Sequence, residues 1–335
     1  MNKLRLLLWP FSMIYGMLLT VRHGLYNSGF WKSTSFKTPS ICVGNLSLGG
    51  TGKTPMIALL LNHYKTEPAK RTAVLSRGYG RISQGIVAAS KNSTVADLGD
   101  EPYQLANDFP ESRLVVAASR VAGMNYLESP LHGPLPDLVL LDDAMQHRAL
   151  IPSFNLLLTS FSRPFPADAL LPVGTLRDLP SRAQIADLIV VTKCPEGIDP
   201  QQKEALKASI AMYSQAPVVF SYLEYAAFWI GLKDQKNALE YVGKEVTLVT
   251  AIANPEPLVL HLKSLGILVH HKKFQDHHFF TPQEIDSLRA LPNLCCTQKD
   301  FVKLKEQLDL IYYIPVRHAF FKEDARTFYN ALPDC

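Results

Sequence analysis

Two kinds of apolar pattern divide the chain. From Leu6 to Val21 no residue is charged, and LLLWPFSMIYGMLLTV is apolar on nearly every side. Beyond it, short β-branched runs alternate with longer stretches of mixed character. PSICVGNLS reads as a strand and TPMIALLLNHY as a helix, while TAVLSRG, LVVAAS, DLVLLDD, FNLLLTS and DLIVVTK read as further strands. Continuous apolar runs separated by helices predict a parallel sheet covered on both faces. Asn45, Arg77, Arg120, Asp142 and Lys193 stand at or just past the ends of these runs. Ligands of open α/β sheets sit at the carboxyl ends of strands, so the recurrence points to a site there. Near Pro217 the pattern loosens. PVVFSYLEYAAFWIG with the polar KDQKNALE predicts two strands or an extended connection. Strand, helix and strand then resume from EVTLVT to LVHHKKF, and DLIYYIPV supplies one more strand.

The expected fold is therefore α/β: a parallel sheet in an α/β/α sandwich, with a second, smaller α/β domain. The division read along the chain is 1–35 as an N-terminal segment, 36–216 as the larger domain, 217–240 as a β-linker and 241–335 as the smaller domain. A length of 335 residues is enough for two cores.

The N-terminal run allows four readings. A spanning helix wants about 20 apolar residues, and this run is shorter and carries Pro10. A signal peptide would begin with Lys3 and Arg5, but no small-x-small cleavage site follows. A core helix is the plainest reading. An interfacial anchor would place Trp9, Phe11, Tyr15 and Trp31 at headgroup level, with Arg22, Lys32 and Lys37 meeting anionic lipid. The first acidic residue is Glu67, and the anchor is the preferred reading because the chemistry below needs cytoplasmic nucleotide.

Composition changes this picture little. Apolar residues make 47% and charged residues 19% of the chain, which fits a folded protein, and a net charge of +4 gives no case for nucleic acid. The five cysteines are odd in number and none lies in a C-x-x-C pair. That pattern suits free thiols in a reducing compartment and excludes a disulfide frame or a zinc site.

The strongest local signal is Gly49-Gly50-Thr51-Gly52-Lys53-Thr54, between an expected strand and an expected helix. Glycines let the backbone wrap so that N–H groups face phosphate oxygens, and the helix N-terminus favours an anion. Lys53 can reach the β- and γ-phosphates, and the Thr54 hydroxyl can ligate Mg²⁺. The strict phosphate-loop pattern wants glycine at position 47, where this chain has Ser47.

Val190-Val191-Thr192-Lys193 ends a strand where GTPases carry [NT]-K-x-D, but the guanine-reading aspartate would be Pro195. ATP is the expected nucleotide. Lys193 then either lies along the base or is a solvated strand-end lysine. Asp142-Asp143 follows an apolar strand as a metal-holding carboxylate should, with Gln146 and His147 on the loop beyond; a turn with a helix cap is the alternative. Gly99-Asp100-Glu101-Pro102 opens a helix, so Asp100 is either its cap or a base for an attacking hydroxyl. His277, in Asp276-His277-His278, is a candidate to assist that base.

Six motifs occur in one order: VGN with GGTGKTP, then LSRGYGR, GDEP, DDAMQHR, LLPVGTLRD and DHH. Together they resemble the tetraacyldisaccharide 4'-kinase family across nearly the whole chain. The resemblance implies a Mg-ATP kinase with two α/β/α domains joined by a β-linker, and an N-terminal helix on the cytoplasmic face of the inner membrane. It also implies the acceptor, the lipid A disaccharide precursor phosphorylated at its 4' position; no protein partner is implied. Within it, Lys53 and Thr54 match phosphate and metal positions, Asp100 the catalytic base and His277 its partner. Asp142 and Asp143 match an acidic pair near metal and substrate, Arg120 and Arg177 match arginines near the phosphates, and Tyr79, Glu101 and Gln146 match further site positions. This chain departs from the family in two places. Ala144 and Met145 replace a glycine and a phenylalanine, and Asp178 stands where glutamate is usual. Two other readings stay open: a membrane-tethered NTPase driving a partner protein, and a soluble kinase for a small metabolite.

Overall fold

The computed structural model describes residues 7–66 and 70–334. Lys3, Arg5, Leu6, Glu67 and Cys335 lie outside the described residues. In chain order the main elements begin with α1 (Trp9–Asn27), β1 (Ser40–Asn45), α2 (Lys53–Lys65), β2 (Thr72–Ser76), α3 (Asp100–Asp108) and β3 (Arg113–Val116). They continue through α4 (Arg120–Leu127), β4 (Leu138–Asp142), β5 (Phe154–Ser160), β6 (Leu188–Thr192), α5 (Pro200–Ala211) and β7 (Val218–Tyr225). The rest are β8 (Phe228–Ile230), β9 (Gln235–Asn237), β10 (Glu245–Thr250), α6 (Glu256–Ser264), β11 (Leu268–Lys273) and α7 (Pro282–Arg289), then β12 (Leu294–Thr297), α8 (Gln298–Leu304), β13 (Ile311–Ile314), β14 (Val316–Phe320) and α9 (Lys322–Ala331).

The chain forms two compact units. The first comprises the chain up to Arg77, Glu111–Leu223 and everything from His318 onward; the second comprises Gly78–Pro110 and Glu224–Arg317. In the first unit the strand order is β14-β7-β6-β5-β1-β4-β2-β3, and the neighbours from β7 to β3 pair in parallel. Every residue of β1, β2, β4 and β6 is buried, as a sheet covered on both faces demands. From β1 the chain winds to one side through β2 and β3, returns to β4, and then builds the other side through β5 and β6. The carboxyl end of β1 is thus the switch point at which such sheets bind ligands. In the second unit the order is β9-β8-β13-β12-β10-β11, parallel except where β8 meets β9 and β13. Trp229, Leu248, Leu262, Cys295 and Ile314 are among its buried core.

These units correct the linear division in three respects. Gly78–Pro110 leaves the first unit and joins the second, where α3 packs on α8. The C-terminal segment from His318 returns to the first unit through β14. The stretch 217–240 is no separate linker, because β7 pairs with β6 while β8 and β9 belong to the other sheet. A short insertion with its own amphipathic helix has the same local pattern as a crossover helix, so periodicity alone cannot show which sheet it covers.

The four described free cysteines, Cys42, Cys194, Cys295 and Cys296, are all buried. α1 is neither a wholly buried helix nor a spanning one. Ser12, Leu19 and His23 are buried on one side, while Phe11, Met13, Ile14, Met17, Leu18 and Val21 are exposed on the others. Among the described residues no helix is long and apolar enough to cross a membrane. The buried side docks by polar contacts: Ser12 Oγ donates to the Leu170 carbonyl at 2.9 Å, Tyr15 Oη to that of Arg177 at 2.8 Å, and His23 Nε2 lies 2.6 Å from Asp178. Arg22 turns inward to the Gln146 carbonyl at 2.7 Å, so it is not one of the outward cations, whereas Lys32 and Lys37 are exposed.

Candidate active site

The loop after β1 has the backbone that a phosphate cradle needs. Gly49 (φ 105°) and Gly52 (φ 88°) take left-handed conformations, which glycine adopts at little cost. Ser47 is not among the described residues with positive φ, so its departure from the strict pattern carries no strain. Gly52 is the N-cap of α2, and Lys53 and Thr54 are its first two residues. The N–H groups of that first turn have no partner within the helix. Lys193 Nζ donates to the Gly50 carbonyl at 2.6 Å, which ties it to the loop backbone.

Lys53 belongs to a compact charge cluster at the end of β1. Its Nζ lies 3.7 Å from Asp143 and 3.4 Å from Asn45 Oδ1. Arg177 grips Asp143 with both terminal nitrogens, one at 2.9 Å and one closer, and also donates to Asn45 Oδ1 at 2.5 Å. Burial alone would raise the Asp143 pKa, but Lys53, Arg177 and Arg120 together hold it below the usual carboxylate range. Two cations around one carboxylate leave net positive charge beside the loop, where a polyphosphate would be drawn.

Asp142 is buried at the end of β4 and accepts a 2.7 Å hydrogen bond from Ser76 Oγ. Asp143 follows it with φ 48°, and neither residue opens a helix, so the helix-cap alternative falls away. Arg120 is 1% exposed, and its guanidinium donates to the carbonyls of Ala117 at 2.8 Å and Asp142 at 2.9 Å. It braces the strand ends from inside, and burial lowers its pKa. Arg177 is by contrast part-buried beside Asp143 and Lys53. Among the described residues no group of three or more histidine, cysteine or acidic side chains could hold a metal alone. One hydroxyl and one carboxylate, Thr54 and Asp142, instead suit Mg²⁺, which keeps water and takes phosphate oxygens as ligands.

Ala144 and Met145, the two departures in the acidic loop, are both buried in the first unit's core. Met145 lies against Gly44, where an added Cβ would meet the Met145 Cβ at 2.8 Å. Gln146 still donates to the Asn45 carbonyl at 2.9 Å, so the loop stays tied to β1. Burial, followed by Arg120 and Arg77, pushes the His147 pKa down to about 4, which keeps its imidazole neutral at physiological pH. Asp178 is fully buried and engages His23, so it fastens α1 rather than joining the charge cluster.

In the second unit, Asp100 is the first residue of α3, and Gly99, not Asp100, occupies its N-cap. Its Oδ2 lies 3.1 Å from His277 Nδ1 and 2.6 Å from Lys303 Nζ. Lys299 Nζ stands 3.0 Å from His277 Nε2. An ammonium can only donate, so His277 Nε2 accepts and Nδ1 carries the proton that points at Asp100. Burial would raise the Asp100 pKa, yet His277, Lys303 and Lys299 hold it below its ordinary value. His277 has φ 62°, and its N–H donates to the Ala251 carbonyl at 3.2 Å. Tyr79 is 71% exposed, with its ring 5.1 Å from that of His277, and Glu101 lies 3.6 Å from Lys299. Lys299 and Lys303 were not singled out from the sequence. Their spacing of four on α8, which puts both on one helix face, was the available signal.

A family model described as tetraacyldisaccharide-1-P 4'-kinase matches residues 4–333. The chain belongs to that family. Curated relatives named tetraacyldisaccharide 4'-kinase include one from Flavobacterium johnsoniae, 37% identical with 96% of this chain and 94% of the relative covered. Another, from Bacteroides thetaiotaomicron, is 36% identical with 99% and 88% covered. Among solved structures, the LpxK of Aquifex aeolicus in complex with ATP matches with a TM-score of 0.76 and 28% identity, over 98% of this chain and all of that one. The chain is thus a kinase of the tetraacyldisaccharide 4'-kinase family with its α/β fold of parallel sheets.

Proposed function

We propose that this kinase moves the γ-phosphoryl group of ATP to the 4'-hydroxyl of a tetraacylated glucosamine disaccharide 1-phosphate, giving the 1,4'-bisphosphate of lipid A biosynthesis. The observation that carries the site assignment is the glycine loop at the switch point, with Lys53 set against the Asp143–Arg177 pair. Phosphoryl transfer needs little covalent help from the protein, so positioning and charge neutralisation supply most of the rate. Lys53 and Arg177 are the donors for the β- and γ-phosphate oxygens. Thr54 and Asp142 would hold Mg²⁺, which neutralises charge on the transferring phosphate. Lys193 holds the loop and Arg120 braces the strand end beside it.

Asp100 receives the proton of the attacking hydroxyl. His277 and Lys303 both act on its Oδ2, which leaves Oδ1 for the acceptor and fixes the carboxylate plane. In this arrangement His277 is an orienting donor. Tyr79 and Glu101 in the second unit, and Gln146 and His147 in the first, have supporting roles. Radiolabel from γ-labelled ATP should appear in the lipid when tetraacyldisaccharide 1-phosphate is supplied in detergent micelles. Phosphate release without labelled lipid would remove this reading in favour of an NTPase that drives a partner.

The exposed apolar side of α1 supports attachment to the cytoplasmic face of the inner membrane. Each large apolar side chain taken out of water gains on the order of 1.5–3 kcal/mol. Lys32 and Lys37, just past the helix, add attraction to anionic lipid. Glutamate at both Met13 and Met17 should move the enzyme from the membrane pellet to the supernatant and abolish flotation with anionic vesicles. Because both residues are exposed, the melting temperature should stay unchanged. Undiminished vesicle binding by this variant would rule out α1 as the anchor.

A further inference from the structure

Three consecutive carbonyls of the phosphate loop are held by side chains from neighbouring strands. The Gly50 carbonyl accepts from Lys193 at 2.6 Å and the Thr51 carbonyl from Thr192 Oγ1 at 2.8 Å. The Gly52 carbonyl lies 2.9 Å from His318 Nε2. Lys193 and Thr192 adjoin one another at the end of β6, but His318 comes from β14, 266 residues beyond Gly52.

A carbonyl oxygen only accepts, so Nε2 of His318 must carry the ring proton. Its Nδ1, 3.1 Å from Ser221 Oγ in β7, then accepts from that hydroxyl. The Gly52 carbonyl thus decides the tautomer, and Ser221 holds the ring in the orientation that serves the loop. His318 is buried, and burial followed by the nearby Lys193 charge pushes its pKa down to about 4, so this neutral form persists throughout the physiological range. The contact also explains why position 52 is glycine. A Cβ there would meet His318 Nε2 at 2.8 Å, in addition to the strain of φ 88°.

A trans peptide unit points its C=O and N–H in opposite directions. Holding the carbonyls of Thr51 and Gly52 therefore turns the N–H groups of Gly52 and Lys53 the other way. The Thr51 N–H is already turned back on the Gly49 carbonyl at 3.1 Å. The carbonyl of the peptide that joins Gly52 to Lys53 is shared by His318 and by the Met56 N–H at 3.1 Å, the first hydrogen bond of α2. The N–H of that peptide belongs to the helix's first turn, where an anion is favoured.

We propose that His318 is a positioning residue for the nucleotide, helping α2 to hold the Gly52–Lys53 peptide so that its N–H faces the ATP phosphates, with Ser221 orienting its ring. This rests on the loop being the ATP site. Within that reading it assigns a function to the C-terminal strand that returns to the first unit, which no sequence motif near the loop signals.

Steady-state kinetics on three variants in micelles test it. Leucine at His318 fills the space and donates nothing, so KM for ATP should rise about tenfold, as for loss of one buried hydrogen bond, while kcat changes much less. His318→Gln places an amide N–H near the Nε2 position and should restore most of the ATP affinity. Ser221→Ala should raise KM for ATP by a smaller factor, and it decides the matter if His318→Leu does not fold. A wild-type KM in the leucine variant, or in Ser221→Ala where leucine cannot be assayed, would overturn the proposal. Equal impairment by glutamine and leucine would assign the effect to packing and overturn it too. Lys53→Ala separates the two levels: unchanged ATP affinity there would remove the loop itself from nucleotide binding. A loss in Lys53→Ala with none in His318→Leu would remove His318 alone.

Discussion

Asparagine in place of Asp100 should lower kcat by about 10²- to 10⁴-fold, the range for loss of a positioned general base, and leave the affinity for ATP nearly unchanged. The amide keeps the size of the carboxylate but cannot take a proton from the attacking hydroxyl. The residues assigned to the phosphates, Lys53 and Arg177 with the glycine loop, all lie in the first unit and are unchanged in this variant. A variant that loses ATP binding instead would contradict the base assignment. The surroundings of Asp100 also set the pH dependence. His277, Lys303 and Lys299 overcome burial and depress its pKa, so the carboxylate form is favoured above its folded-state pKa and lost only as pH falls through it. The acid limb belonging to Asp100 should therefore lie below the ordinary carboxylate range of about 4. Lys303→Met removes the closest charge and leaves burial to act, so that limb should move to higher pH. A profile of kcat against pH in the two proteins reads this directly, and coincident limbs would show that Lys303 does not tune the base.

The second large effect is expected at Lys53. Alanine there should lower kcat/KM for ATP by about 10²- to 10³-fold, the loss that follows removal of one preorganised donor to transition-state charge. Both kcat and KM should change, because the ammonium meets the phosphates in the ground state and again as charge develops. The fold should survive, since Asp143 keeps its two-point contact with Arg177 when Lys53 is gone. Lys193→Ala, which removes only a tether on the Gly50 carbonyl, should act far less and mainly on KM. Equal losses at the two lysines would mean that Lys53 is also only holding the loop. Titration calorimetry with ATP, alongside kinetics, separates binding from turnover.

The strands that carry the first sheet were legible because their pattern is local. A parallel strand buried on both faces must be a short apolar run, and SICVGN, TAVLS, LVLLD and LIVVT are such runs. The glycine loop was legible for the same reason: positive φ at Gly49 and Gly52 asks for glycine whatever lies elsewhere in the chain. Asp100 and His277 came from motifs, and the fold sets them 3.1 Å apart. Lys299 and Lys303 escaped notice because lysines four apart on a helix are most often a solvated face. Only the packing of α8 on α3 turns them onto Asp100 and His277.

Three further outcomes depended wholly on topology. Arg120 looked like Arg177 in the sequence, but burial set it against backbone carbonyls while Arg177 stayed beside Lys53 and Asp143. Asp178 adjoins Arg177 yet is buried against His23 and fastens α1, while Arg177 turns to Asp143. His318 had no local signal at all, and reaches Gly52 only because β14 returns to the first sheet. By itself, then, the sequence determined the α/β class, the glycine loop after β1, the position of the acidic pair and the family. These follow from backbone conformation and burial, which act over a few residues. Tertiary structure alone decided which cations hold Asp100, which side of α1 stays exposed, which segments make up each unit and what supports the loop. Those depend on side chains brought together across up to 266 residues, at distances that local pattern does not encode.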